Sequence, residues 1–195
     1  SPEPVTIMAL APLTNIATLL QKEPTIIDHI EQIVVMGGSW YRGNVIPHAE
    51  FNIYADPHAA KEVFSGKVST VIIPLECCDD CTISEATVQS WIHDERYLTK
   101  MVGGIMDFFA IYGRQHQRTR HTIFDLAVTE YLLHPEIFEG EYCNCDVILL
   151  GEETRGQTVF TTNPNSKIFV LKHAETNQFE QQIISDINQL ANEII

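Results

Sequence analysis

The amino-acid sequence predicts an α/β fold, with a mostly parallel open sheet, flanking helices and a Rossmann-like core. Short apolar runs rich in β-branched residues, typical of buried parallel strands, lie at residues 5–10, 32–36 and 68–75. Helical patterns alternate with them, at residues 16–21, 24–30 and 58–64. This alternation implies parallel pairing with right-handed crossover connections.

Length and composition favour one ordinary globular domain over residues 1–195. The chain has 195 residues, of which 45% are hydrophobic, so it can bury a sizeable core. We see no signal peptide before the first strand and no apolar run near the roughly 18–20 residues that span a bilayer. We therefore expect no membrane association.

The charge balance argues against a nucleic-acid partner. Lys and Arg total 12 against 26 Asp and Glu, which gives a net charge of −14. Proteins that bind DNA or RNA rely on basic surface. A neutral small molecule or a cation is compatible with this balance, and so is a plain solvated acidic surface.

Five cysteines occur in two groups, Cys77, Cys78 and Cys81, then Cys143 and Cys145. An odd number in such groups does not resemble the disulfide framework of a secreted protein. We therefore expect free thiols and a cytoplasmic location. A zinc site is the alternative, but the second group lacks the usual ligand spacing.

The first strand is followed by the turn Ala-Pro-Leu-Thr-Asn at residues 11–15. Either Thr14 or Asn15 is suited to cap the helix that follows. The second strand ends at Gly37 and Gly38, where glycine allows a sharp turn and a close approach by other atoms.

A polar loop follows that turn and carries Asn44, Glu50 and Asn52, before Asp56 and Pro57 open a helix. Ligands of open α/β sheets bind where strands end and loops begin. Asn and Glu offer donors and acceptors suited to sugar hydroxyls, and Glu also suits a cation.

The second half predicts a capping box at residues 82–85 and a long helix from residue 97 to about 117. We expect the apolar stripe of that helix to be core; it consists of Leu98, Met101, Val102, Ile105, Met106, Phe109 and Tyr112. The basic segment at residues 114–121 is a solvated helix end or a mobile wall. Asp125 is placed to cap the apolar helix that follows.

Three short strands are predicted near the end of the chain, at residues 145–150, 157–162 and 167–172. Asn177 and Glu180 then have the spacing of a capping box for a closing amphipathic helix.

Several strings resemble the signature of the inosine–uridine-preferring nucleoside hydrolases. These are Met36-Gly37-Gly38, Gly43-Asn44, residues 49–53 and Asp56-Pro57, in that order and spacing. Residues 11–17 and 125–138 are also similar to the family. The resemblance covers essentially the whole chain but only the C-terminal part of the family pattern.

The resemblance implies a role for particular residues. Asn44 and Glu50 would hold the 5′-hydroxyl of a nucleoside and Asn52 a ring hydroxyl. The other substrate-binding candidates are Met36, Phe51 and Phe124. The implied cofactor is Ca²⁺, bound by Asp125 and the backbone carbonyl of Thr14.

The chain departs from the family pattern in two places. The family has a His where this chain has Phe124, so His121 is only a weak candidate for the acid that protonates the leaving base. Phe124 is suited instead to stack on that base. The family's Asp-rich loop, Asp-x-Asp-x-Gly-x-Asp-Asp in outline, is absent from the 195 residues. We expect the N-terminal portion of the family's α/β domain to be missing from this chain. We also expect the chain alone to be inactive.

The predicted function is calcium-dependent hydrolysis of ribonucleosides to ribose and free base, in purine and pyrimidine salvage. A homo-oligomer, dimer or tetramer, is expected from the resemblance. Two alternatives remain. One is a homologue that binds nucleosides or ribose without cleaving them, and the other is a regulatory or structural partner that uses the acidic surface.

Overall fold

Eight strands occur in the computed structural model, which describes residues 3–115 and 119–193. They are β1 (Val5–Ala9), β2 (Ile30–Met36), β3 (Thr70–Ile73), β4 (Thr82–Ser84), β5 (Arg120–Thr122), β6 (Phe138–Val147), β7 (Thr158–Thr162) and β8 (Ile168–Ala174). Six of them form one sheet in the order β1-β2-β3-β8-β6-β7, while β4 and β5 pair separately.

Eight α-helices connect or follow these strands. They are α1 (Thr14–Lys22), α2 (Phe51–Ala55), α3 (Pro57–Val63), α4 (Leu75–Asp80), α5 (Glu85–Ile92), α6 (Tyr97–Gln115), α7 (Leu126–Leu133) and α8 (Thr176–Glu193). Two 3-10 helices complete the described part of the chain, at Pro24–His29 and Pro135–Ile137.

The main sheet is mostly parallel, as predicted. β1, β2, β3 and β8 run parallel to one another. β6 pairs antiparallel with both β8 and β7. The sheet therefore joins a parallel half, typical of a Rossmann-like core, to an antiparallel edge.

Each face of the sheet carries its own core, because successive side chains of a strand point to opposite faces. In β2, Val34 and Met36 face one core, while Ile33 and Val35 face the other. The first core is covered by α4 to α8 and the second by α1 and α3. The result is a sheet between two helical layers.

The strand β1 is less buried than its sequence predicts. Only Ala9 is buried, while Val5 is 45% exposed and Met8 42% exposed. The apolar run correctly predicted a strand, but within the described residues β1 has a partner on one side only. The prediction of a buried strand is therefore wrong here.

Several helix starts differ from the predicted ones. The segment at residues 24–30 is a 3-10 helix that ends at His29, because Ile30 already belongs to β2. Residues 82–84 form a strand, so the N-cap of α5 is Ser84, whose side chain accepts the N–H of Thr87. Glu180 lies within α8 and accepts the N–H of Ser84 instead of forming a capping box.

The stripe on α6 was predicted to be core, and this prediction is only partly correct. Met106 is buried, but Met101, Ile105 and Phe109 are exposed. The side chain of Tyr112 and residues 116–118 of the basic segment lie outside the described residues. None of the helices in the described ranges is both long and apolar enough to cross a membrane.

Candidate active site

The carboxylate of Glu50 organises the loop after β2. It is the N-cap of α2, and it accepts the N–H groups of Asn52 at 2.8 Å and Ile53 at 3.2 Å. It also accepts the N–H of Gly38 at 3.1 Å. Because Glu50 is only 2% exposed, these bonds replace the water it loses on burial. The loop, the turn and the helix are thus joined at one side chain.

The glycine turn permits this close approach. Gly38 has φ of 77°, a conformation that side chains with a Cβ rarely adopt. A Cβ on Gly37 would lie 3.3 Å from Oε2 of Glu50 and 3.2 Å from Cδ1 of Ile53. The sequence prediction that something packs closely against this turn is confirmed, and the close neighbour is Glu50 itself.

Asn52 is buried behind Glu50 and is held by Met36. Its side-chain Nδ2 donates to the Met36 carbonyl oxygen at 3.1 Å and lies 3.6 Å from the Met36 sulfur. Met36 is 3% exposed and belongs to the core. The amide nitrogen of Asn52 is thus engaged by the end of β2.

Asn44 and Phe51 lie further out on the same loop. The Asn44 side-chain oxygen accepts the N–H of Phe51 at 2.9 Å, so it adds a second hydrogen bond to the start of α2. Phe51 is 55% exposed, which leaves its ring free to contact a ligand. The structure thus brings together four of the predicted loop residues with Met36.

Two further residues hold the loop in place, and no sequence motif indicates either of them. Glu76 accepts the N–H of Trp40 at 2.8 Å and that of Tyr41 at 3.0 Å. Thr158 exchanges two hydrogen bonds with the backbone of Ser39, at 3.0 and 2.7 Å. Both are far from the loop in the chain, so only the folded sheet reveals them.

Asp125 does not cap α7, and the sequence prediction of a cap is wrong. Its backbone is already helical, with φ of −72° and ψ of −29°, and its side chain makes no capping hydrogen bond. Desolvation raises the pKa of this carboxyl above its ordinary value. Asp125 therefore offers both oxygens to another group, which a cap could not.

Burial, and to a smaller extent the charge of Asp125, raise the pKa of Glu50 against the lowering effect of its three backbone hydrogen bonds. The two carboxylates are thus near enough to repel each other electrostatically.

Thr14 is the first residue of α1 and is exposed. Its hydroxyl donates to Oδ2 of Asp56 at 2.5 Å, and its carbonyl accepts the Thr18 hydroxyl at 2.7 Å. Neither Thr14 nor Asn15 caps α1, whose N-cap is Leu13. Beside Thr14, at the carboxyl end of β1, lies an open cavity of about 440 Å³.

His121 is engaged elsewhere in the structure. It lies on β5, is 6% exposed, and its Nε2 is 2.7 Å from Oε2 of Glu85. Arg114 binds the same carboxylate. Phe124, in contrast, is 40% exposed at the approach to α7, available for stacking. A proton-transfer role for His121 stays a prediction, and it requires the Glu85 contact to break.

All five cysteines are free, as predicted. Cys77, Cys78 and Cys81 are fully buried in the core, and burial raises the pKa of the Cys78 thiol. Among the described residues, the group placed to share a cation contains no cysteine; it consists of Glu130, His134 and Asp186. The structure gives the alternative of a cysteine zinc site no support.

The parallel sheet, the glycine turn after β2 and the polar groups above it define an α/β protein of the class whose ligands bind at the strand ends. The family model for the inosine-uridine preferring nucleoside hydrolases matches residues 1–189. The chain belongs to this family, which confirms the resemblance found in its motifs.

Curated relatives agree. The chain is 35% identical over 161 residues to the pyrimidine-specific ribonucleoside hydrolase RihA of Shewanella woodyi, covering 82% of this chain and 52% of that protein. It is 36% identical over 159 residues to the non-specific ribonucleoside hydrolase RihC of Salmonella paratyphi A, covering 82% and 51%. The chain thus spans about half the length of these relatives.

Solved structures support the fold. The purine-preferring ribonucleoside hydrolase from Gardnerella vaginalis superposes with a TM-score of 0.86 at 25% identity, over 95% of this chain and 61% of that one. The inosine-uridine preferring nucleoside hydrolase from Bacillus anthracis gives a TM-score of 0.83 at 21% identity, over 100% and 62%. The predicted α/β fold class is confirmed.

Proposed function

We propose that this chain forms the sugar-binding part of an enzyme that hydrolyses the N-glycosidic bond of ribonucleosides, releasing ribose and a free base. The observation that carries the proposal is the loop held by Glu50, which places Asn44, Glu50 and Asn52 together at the end of β2. Membership of the nucleoside hydrolase family and the names of its curated relatives support it.

The loop residues offer acceptors to a ribose. A carboxylate has about four acceptor positions, and three backbone N–H groups use part of the Glu50 set. The remainder can accept the 5′-hydroxyl, beside Asn44, while Oδ1 of Asn52 accepts a ring hydroxyl. Because these groups are fixed by the backbone, they orient the sugar before reaction. Phe51 and Met36 complete the apolar surroundings.

The residues present fit a hard cation such as Ca²⁺, which binds oxygen ligands. Asp125 has an exposed carboxylate free of capping bonds, and partial desolvation raises its pKa. The Thr14 carbonyl lies at the start of α1 and already accepts the Thr18 hydroxyl, so a cation would share this oxygen with bonds of the helix. The chemistry supplied at such a site is binding of the ribose diol and acidification of a water molecule.

The 195 residues contain no Asp-x-Asp-x-Gly-x-Asp-Asp string. Asp125 and Thr14 alone are too few for a cation that takes six to eight oxygens. We therefore propose that turnover requires carboxylates from outside this chain, including the general base, and that the 195 residues alone are inactive.

A second candidate function is nucleoside or ribose binding without cleavage, favoured by one observation. Phe124 occupies the position beside Asp125 where the family pattern has an imidazole, and His121 is bound to Glu85. A leaving base then lacks an imidazole at the position where the family pattern has one. An exposed aromatic ring still retains a base by stacking.

Ribose release from inosine and uridine tests the proposal, in the longest natural protein that carries this chain, with calcium and then with a chelator. We expect calcium-dependent release, lost on Asp125→Asn and unchanged in the control Asp28→Asn, an exposed carboxylate of the first 3-10 helix. Nucleoside binding measured by calorimetry without any ribose release would establish the binding function instead. Release by the 195 residues alone would contradict their proposed inactivity.

We propose further that the protein acts in nucleoside salvage in the cytoplasm as a homo-oligomer, a dimer or tetramer. The exposed apolar side chains of α6, among them Phe108 at 69% and Phe109 at 68%, support self-association. Analytical ultracentrifugation gives the mass in solution, and a monomer at all concentrations would contradict this assembly.

A further inference from the structure

Three potential metal ligands meet between α7 and α8. One ligand atom from each of Glu130, His134 and Asp186 lies within 4.8 Å of the other two. Glu130 and His134 are four residues apart, which places both on one face of the helix end. Asp186 comes from the middle of α8, so the group joins two helices.

Glu130 has no partner in this arrangement, which is unusual for a buried carboxylate. It is 2% exposed, and its Oε2 makes no hydrogen bond with any described residue. Val128, two residues earlier in α7, and Ile183, three residues before Asp186 in α8, both belong to the apolar core. Buried charges in proteins are normally paired or bound to a metal, and Glu130 points its carboxylate towards His134 and Asp186.

The other two side chains are arranged as ligands. His134 Nε2 is 3.3 Å from Oδ2 of Asp186, while Nδ1 on the far side of the ring is 3.7 Å from Glu136. A carboxylate behind a histidine is the usual means of orienting a metal-binding imidazole. Because the Asp186 and His134 side chains are 31% and 22% exposed, an ion can enter from solvent.

We propose that Glu130, His134 and Asp186 bind one Zn²⁺, with water as the fourth ligand. Two ligands at about 2.1 Å from a tetrahedral ion lie about 3.4 Å apart, close to the 3.3 Å between His134 and Asp186. An imidazole with two carboxylates suits zinc, whereas Ca²⁺ and Mg²⁺ prefer six or more oxygens. Glu130 completes the set by a side-chain movement.

The alternative is a metal-free cluster in which Glu130 holds a proton. Burial, followed by the charge of Asp186, raises the pKa of Glu130 to about 7, and His134 opposes this effect. A proton neutralises Glu130 but leaves Oε2 without a hydrogen-bond acceptor among the described residues. A cation satisfies all three side chains together. The zinc would fix α7, which begins directly after Asp125, against α8.

Zinc uptake by the purified 195-residue chain, without an affinity tag, tests the proposal. We expect one Zn²⁺ per chain by equilibrium dialysis in the presence of millimolar Ca²⁺, and a rise of about 5 °C in the unfolding temperature at saturating zinc. Glu130→Gln and His134→Gln should each weaken zinc binding at least tenfold. The matched control Asp28→Asn, an exposed carboxylate of the first 3-10 helix, should bind zinc as the unmodified chain does.

Co²⁺ in place of zinc separates this site from the five thiols and does not depend on how any variant folds. We expect visible ligand-field bands without the strong near-ultraviolet absorption of a cobalt thiolate. No zinc uptake, equal uptake by His134→Gln, or a thiolate spectrum would each overturn the proposal. Since none of these readouts uses nucleoside hydrolysis, failure here leaves the proposed function untouched.

Discussion

The Glu50 carboxylate accepts the N–H of Gly38 at 3.1 Å, twelve positions earlier in the chain, and so joins the end of β2 to the start of α2. The same carboxylate caps α2 through two further N–H groups. The residue predicted to hold a sugar hydroxyl is thus also the residue that shapes the loop. Stability and ligand binding should respond together to changes at Glu50.

Glu50→Gln should lower the free energy of unfolding by about 1–3 kcal/mol, because an amide nitrogen then faces a backbone N–H in a buried site. Urea unfolding measures this loss. The control is Glu62→Gln, whose carboxylate binds Lys67 at the surface; it should change stability by less than about 1 kcal/mol. Equal effects of the two substitutions would show that the Glu50 hydrogen bonds are not important for stability.

Two glycines share a backbone conformation but differ in their surroundings. Substituting each of them separates the effect of backbone strain from that of steric contact. Gly38 and Gly66 have φ of 77° and 79°. A Cβ on Gly38 would lie 3.1 Å from Cγ2 of Thr158, whereas Gly66 has open space around it.

Gly66→Ala should therefore lose only the conformational term, about 1–2 kcal/mol. Gly38→Ala should lose about 1 kcal/mol more, since tight contacts add strain. Chemical denaturation of both variants checks the difference. A Gly66→Ala protein as unstable as Gly38→Ala would show that Thr158 does not constrain the turn.

The lowered pKa of Glu180 predicts that acid reduces the stability of the fold. Burial alone raises the pKa of its carboxyl, but hydrogen bonds from Thr87, Ser84 and Arg120 outweigh burial and lower the pKa to about 2. A group with a lowered pKa stabilises the fold above its ordinary value of 4.5 and loses this contribution as the pH falls towards 2.

The expected contribution at neutral pH is about 3 kcal/mol, because the pKa is about 2 in the fold against 4.5 ordinarily. The difference in unfolding free energy between the unmodified chain and Glu180→Gln, measured by urea titration, should be largest above pH 5. It should decrease steadily between pH 4.5 and pH 2.5. A difference independent of pH would mean that the Glu180 ion pair with Arg120 does not form.

Alanine substitutions of Asp125 and Asp56, which each precede a helix, test which of the two is a cap. Asp56 accepts the N–H of Ala59 at 3.0 Å, whereas Asp125 makes no such bond. Asp56→Ala should therefore lose about 1 kcal/mol of stability, and Asp125→Ala less than about 0.5 kcal/mol. Thermal unfolding measures both. A large loss for Asp125→Ala would restore the capping role predicted from sequence.

The fold followed from the sequence where its periodicity was strong. The β-branched runs at residues 33–36 of β2 and in β3 are buried on both faces, so composition alone predicts parallel strands there. The short elements did not follow. α4 contains the buried residues Cys77 and Cys78. The sequence around them shows no cap and is rich in acidic residues, so it does not predict a buried helix. Its burial depends on contacts with β8, which are remote in sequence.

The motif names the residues of the proposed site, but it does not show how the fold holds them. Asn44, Glu50 and Asn52 were recognised from their motif, but the hydrogen bonds that occupy Glu50 were not. A local pattern also favoured a cap at Asp125, because Asp before an apolar helix is a common N-cap. The backbone of Asp125 is instead already helical, because residues 124–125 form a turn that leads directly into α7.

Phe124→His tests the leaving-group chemistry under the proposed function. Phe124 is 40% exposed, so the substitution should alter stability little. A histidine beside Asp125 could protonate a departing base, an effect that general acids typically contribute at 10²–10⁴-fold. In the complete protein we expect kcat for inosine to rise at least tenfold.

The matched substrate is p-nitrophenyl riboside, whose leaving group departs without a proton, and its kcat should stay within about twofold. Equal acceleration of both substrates would show that position 124 acts on the sugar or on product release, and no change in either would assign the proton donor to another residue.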